Sequence, residues 1–181
     1  MAGHSEDNVF LIGDVDDDSE KLAIPLAQQI AEQSKLKNGR IDLWINSYGG
    51  YTHIAMHIIE LMEAAKRQGV VVRTIVPGLA LSAGSLLAIA GTPGERYIAP
   101  KAEHLIHYGQ VGSLDQTPQQ VDRSKDYKKR AFKAIVDHYK HYSNVPDLEA
   151  KISDDGYFVH SRDCIRWGLA DKTTDKLKLE L

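Results

Sequence analysis

The chain has 181 residues, enough for one domain with a proper core and too few for two comfortable ones. Hydrophobic residues make up 43% and charged residues 26%, and the net charge of −3 lacks the basic excess of a general nucleic-acid binder. The single cysteine, Cys164, rules out an intrachain disulfide and fits a reducing compartment. The opening Met1-Ala2-Gly3-His4-Ser5-Glu6-Asp7 lacks the basic-then-apolar layout of a signal peptide. No apolar run nears the ~18 residues of a membrane span, so the expectation is a soluble, cytoplasmic protein without membrane or nucleic-acid partners.

In chain order, Val9-Phe10-Leu11-Ile12 is a continuous apolar run ending at Gly13 and predicts a buried strand. After the acidic cluster Asp16-Asp17-Asp18, the four-residue spacing of Leu22, Leu26 and Ile30 predicts a helix from about Ser19 to Leu36, kinked early by Pro25. Ile41 to Ser47 predicts a second strand, closed by Gly49-Gly50. Thr52 to about Lys66 predicts an amphipathic helix with Ile54, Ile58, Leu61 and Met62 on one side. The β-branched run Val70 to Val76 is the clearest strand, and Pro77-Gly78 ends it. Ser82 to Ala90, small and apolar, suits a buried helix.

Arg96 to Ile98 and Glu103 to His107 predict short strands. Thr117-Pro118-Gln119-Gln120 reads as a helix start, opening a long helix to about Tyr142. Pro146 begins a short helix, Tyr157-Phe158-Val159 a short strand, and Ser161 caps a last helix ending at Gly168. The turn signals are evenly spread, without repeats or linkers, which predicts a single domain. Strand–helix alternation predicts an α/β fold with a largely parallel sheet under helices.

Three features fall where strands hand over to helices. In Asn46-Ser47-Tyr48-Gly49-Gly50, paired glycines leave amide N–H groups unobstructed for an oxyanion, although the same pattern also makes a simple tight turn. In Gly78-Leu79-Ala80-Leu81-Ser82-Ala83-Gly84-Ser85, a serine leads a helix. Either it merely caps that helix or it is a nucleophile, with the Ala83 amide beside it. Ser85, one turn further in, is the competing hydroxyl. Leu105-Ile106-His107 ends a strand with an imidazole suited to take a serine's proton, and alternation sends His104 to the opposite face. His53 and His57 are spaced i, i+4 as metal ligands sometimes are, but no HExxH pattern surrounds them, and a solvated or core-lining pair is the plainer reading.

Together these pieces resemble the proteolytic subunit of the Clp protease. In that family a strand ends in Asn-Ser-Pro-Gly-Gly, a Gly-x-Ala-x-Ser segment starts the next helix, and a strand ends in Met-Ile-His. The likeness runs from Val9-Phe10-Leu11-Ile12-Gly13-Asp14-Val15 to Trp167-Gly168-Leu169-Ala170-Asp171, nearly the whole chain. It implies a Clp-protease/crotonase-like spiral of repeated β-β-α units, with a head of 1–107 and 155–181 and a protruding handle of 108–154. It also implies a serine endopeptidase with Ser82 as nucleophile, His107 as general base and an Asp as the third member. Backbone amides of Gly49, Gly50 and Ala83 would form the oxyanion hole, with an acyl-enzyme and no metal or cofactor. Asp155 is the acid if Tyr157 matches the family's aromatic residue; a gapless match puts Gly156 there, and Asp154 is a further alternative.

The resemblance further implies polypeptide substrates and a homo-oligomer of two stacked heptameric rings joined through the long helix. An AAA+ unfoldase partner is implied too, although the eight residues before the first strand are short for a gated pore. Tyr48 and Gly109 stand where the family has prolines, and the groove strand is represented only by Gln110-Val111-Gly112-Ser113. Such trimming fits a compact viral or otherwise divergent member. Two rivals remain: a catalytically impaired structural subunit, and a crotonase-type acyl-CoA enzyme with acidic catalytic residues.

Overall fold

The computed structural model describes residues 8–109, 118–152 and 155–177, with backbone alone over 118–124. Five strands form a sheet in the order β1-β2-β3-β5-β8: Val9–Ile12, Arg40–Ile45, Val71–Val76, Arg96–Ile98 and Lys172–Thr173. All four pairings in it are parallel. A second, three-stranded sheet holds β4 (Leu79–Leu81), β6 (Glu103–Ile106) and β7 (Tyr157–His160). There β4 runs parallel and β7 antiparallel to β6. The α/β architecture expected from the alternation is the one observed, with the antiparallel β7 as the exception to a parallel sheet.

The core follows from the pattern. Ile41, Leu43 and Ile45 alternate on β2 and are wholly buried. Helix α3 (Thr52–Arg67) packs against them through Ile54, Ala55, Ile58, Ile59, Met62 and Ala65, a stripe of helical period. Helix α4 (Ala83–Ile89) is buried on every side, which its run of alanine, glycine, serine and aliphatic residues permits. Among its described side chains, the long α5 (Pro118–Tyr142) reaches the core through its second half, where Ile135, Val136 and Tyr139 are buried.

Several expectations change in detail. The single helix foreseen over 19–36 is two, α1 (Asp17–Glu20) and α2 (Ala23–Gln33). Asp16 caps α1 by accepting from the amides of Asp18 and Ser19. Pro25 sits in the first turn of α2, where its missing N–H costs nothing. Strand β4 lay hidden in the segment read only as a helix approach, because three residues carry no usable periodicity. Ser161 does not cap the last helix, α7 (Ser161–Arg166): its hydroxyl donates to the Pro100 carbonyl at 2.6 Å, and His160 holds the cap position. The helix expected at Pro146 forms as α6 (Leu148–Lys151).

A clasp closes the chain's end onto the first sheet. Arg96, 6% exposed, meets Asp171 through Nε at 2.9 Å and Nη2 at 2.6 Å, and donates to the Tyr142 carbonyl at 2.9 Å. The amides of Gly94 and Arg96 add two more bonds to the same carboxylate. Burial pushes the Asp171 pKa up, but the hydrogen bonds and charge of Arg96 outweigh it and hold the carboxyl below its ordinary value. The motif Trp167-Gly168-Leu169-Ala170-Asp171 thus ends in a residue that ties β5 and the end of α5 to the C-terminal segment.

Candidate active site

The three loops singled out by sequence converge. Ser82 joins β4 to α4 at φ 51°, ψ −118°, one of two non-glycine residues with positive φ among those described. A β-carbon in that region carries roughly 1–3 kcal/mol of strain, tolerated only where the surroundings over-determine it. Here they do: the Ser82 amide donates to the Leu105 carbonyl, and the Ser82 carbonyl accepts from the Ser85 and Leu86 amides. The hydroxyl makes no capping bond, so the helix-cap reading is set aside. Instead Ser82 Oγ lies 3.3 Å from His107 Nδ1. Register brings them near: Leu81 pairs with Leu105, so Ser82 leaves β4 within one residue of the point where His107 leaves β6.

A second serine–histidine pair lies behind the first. Ser85 Oγ is 2.9 Å from His104 Nδ1, and both residues are wholly buried. Burial, aided by the nearby Arg96 charge, lowers the His104 pKa to about 3 and keeps the ring neutral. The inner pair is closed to solvent, whereas Ser82 and His107 open into a cleft of about 690 Å³.

The glycine turn abuts the serine. A β-carbon on Gly49 would stand 2.8 Å from Ser82 Cβ, and one on Gly50 would stand 2.1 Å from the Val15 carbonyl oxygen. The amide of Gly49 donates to the buried Ser47 Oγ at 3.0 Å. Of the three amides expected to bind an oxyanion, Gly49 is therefore already engaged. The Val15–Gly50 bridge is closed by the amides of Val15 and Tyr51. Among the described residues, the N–H groups of Gly50 and Ala83 donate to no protein acceptor.

The acid is placed less directly. Asp155 is exposed in the turn before β7, and no hydrogen bond joins its carboxylate to His107. Asp154 lies outside the described residues. At Gly156, with φ +69°, a β-carbon would meet the Ile106 carbonyl oxygen at 2.9 Å and His107 Cβ at 3.2 Å, so the position admits no side chain as the backbone stands. His53 lines the cleft together with Met56, Tyr108, Tyr127, Arg130 and Ile135. Sequence reasoning did not single out the last five as site residues. For Tyr127 and Arg130 the one signal was their helical spacing with Ala131 and Ala134 on α5.

The family model for the Clp protease matches residues 4–176. The chain belongs to the Clp protease family. It is 28% identical over 154 residues to an ATP-dependent Clp protease proteolytic subunit of Deinococcus radiodurans, covering 84% of this chain and 74% of that one. The chain is accordingly a serine-type peptidase, and the departures noted in its sequence acquire physical meaning. Tyr48, in the place of a proline, uses the N–H a proline lacks: it donates to Asp14 Oδ1 at 2.8 Å and pins the turn by a bond instead of a ring. Gly109 has φ +86°, beyond any proline's reach, so the chain leaves His107 in a different direction. The residues that would follow as a groove strand, 110–113, lie outside those described. No described helix is long and apolar enough to cross a membrane.

Proposed function

We propose that this chain is an endopeptidase in which Ser82 attacks a peptide carbonyl and His107 takes its proton, passing it later to the leaving amine. The observation that carries the reading is the strained, uncapped Ser82, whose hydroxyl meets the His107 imidazole beside a solvent-open cleft. With Nδ1 toward the hydroxyl, Nε2 is the nitrogen an acid would orient. The Asp154–Asp155 pair supplies that acid, with Asp155 the first choice from the sequence. The amides of Gly50 and Ala83 form the oxyanion hole, and preorganised donors of that kind each contribute about 10²–10³ in rate.

The crotonase-type rival needs a carboxylate near the hole. Among the described residues lining the cleft none is acidic, which favours acyl transfer through serine. Assembly into two stacked heptameric rings is part of the proposal. It is supported by exposed Leu11, Ile24 and Phe158, which an isolated chain leaves in water, and by the exposed stretch 125–130 of α5. Cytoplasmic operation on polypeptides completes the reading.

Turnover of an internally quenched peptide tests it. Wild type should cleave, and Ser82→Ala and His107→Ala should each lose about 10⁴–10⁶ in kcat with secondary structure retained. Thioester hydrolysis surviving in Ser82→Ala would support the acyl-CoA rival. A wild type that folds and assembles but cleaves nothing would support the structural subunit.

A further inference from the structure

One bank of the cleft is basic although the chain as a whole is acidic. Between residues 125 and 133, α5 carries Lys125, Lys128, Lys129, Arg130 and Lys133 against one acid, Asp126. Helical geometry divides these cations. Arg130 shares the cleft-facing stripe with Tyr127, Ala131 and Ala134, positions three and four apart. Lys133 lies off that stripe and pairs with Asp137 at 2.5 Å.

The bank is held in place over the reacting groups. Tyr108, next to His107, donates its hydroxyl to the Lys128 carbonyl at 2.8 Å and packs edge-on against Phe132 at 5.2 Å between centroids. Arg130 is exposed and has no ion-pair partner among the described residues. Nor does any described residue lining the cleft carry a carboxylate. A guanidinium beside an apolar floor of Met56, Ala134 and Ile135 is a receptor for a side chain with methylenes and a terminal carboxylate. The surrounding lysines raise the local concentration of acidic chains.

We infer that Arg130 is a specificity-determining residue that selects polypeptides bearing a glutamate or aspartate next to the scissile bond. The inference rests on the peptidase reading above, and the experiment separates the two. Two quenched peptides differ only as Glu or Gln at the residues flanking the cleaved bond, and kcat/KM is read as their ratio at about 50 mM and 500 mM salt, a range over which an exposed pair is increasingly screened. Wild type should prefer Glu by about tenfold at low salt, the size of one charge-assisted contact. That preference should shrink at high salt, fall to about twofold or less in Arg130→Gln, and reverse in Arg130→Glu.

Lys129→Gln, off the cleft stripe, should keep most of the preference, which separates a local contact from the general field. A wild-type ratio near one, or a ratio unmoved in Arg130→Gln, overturns the inference while Ser82-dependent cleavage of the Gln peptide leaves the peptidase reading standing. Absence of any Ser82-dependent cleavage removes both. Should the Arg130 variants fail to fold, the wild-type ratio and its salt dependence still decide.

Discussion

Relieving the strain at position 82 should raise stability in a protein that has lost its nucleophile. At φ 51° and ψ −118° a β-carbon is unfavourable, by roughly 1–3 kcal/mol, and glycine removes that cost. Glycine also gains unfolded-state entropy, which returns about 0.5–1 kcal/mol. The net for Ser82→Gly against Ser82→Ala is then about 1 kcal/mol, or about 2–4 °C in melting temperature for a chain of this size. Comparing two inactive variants isolates the backbone term, since both lack the hydroxyl and its contact with His107. Scanning calorimetry at pH 7 measures the difference. Ser82→Gly melting at or below Ser82→Ala would refute the claim that the serine is held in a strained conformation for its chemistry.

The remaining expectations concern supports of the site. Gly50→Ala should fail to fold or lose several kcal/mol by urea denaturation, because its β-carbon would stand 2.1 Å from a backbone oxygen. Asp171→Ala should cost about 3–5 kcal/mol by the same assay, leaving the Arg96 charge buried and unpaired. The Asp171 carboxyl is depressed in the folded state, so its contribution is present above the unfolded carboxylate value of about 4 and is lost as pH falls through the lower folded value. Asp171→Asn should flatten stability against pH in that acid range. His104 has the same sign at higher pH: its folded value is about 3 against 6.5 unfolded, so stability should fall as pH drops from about 6.5, and less so in the double variant Ser85→Ala/His104→Leu. Of Asp154→Asn and Asp155→Asn, the one that removes the triad acid should lower kcat by about 10⁴ and the other should change it little.

The parts legible in the sequence were those where chemistry and backbone demand coincide. Ser82 and His107 could be named because each stands at a strand or helix end, and residues in such places must lie near the same edge of the sheets. His104 was assignable to the other face by alternation alone, and the structure seals it against Ser85. Strand β4 escaped notice because its three residues are defined by pairing with β6, a contact distant in sequence. The engagement of Gly49 with Ser47 was equally invisible, since a glycine pair does not declare which amide faces which way. Tyr48 stands where the family has a proline, and only the Asp14 carboxylate, 34 residues earlier, shows what holds the turn in its place. Ser161 misled because a serine before a helix is a cap by default, and here a nearby carbonyl, that of Pro100, claimed its hydroxyl.

The most direct trial of the account is peptide mapping by mass spectrometry after labelling with a fluorophosphonate. The hydroxyl activated by His107 should carry a single adduct, on Ser82, which is absent in His107→Ala. An adduct on Ser85, or labelling indifferent to the loss of His107, would contradict the account.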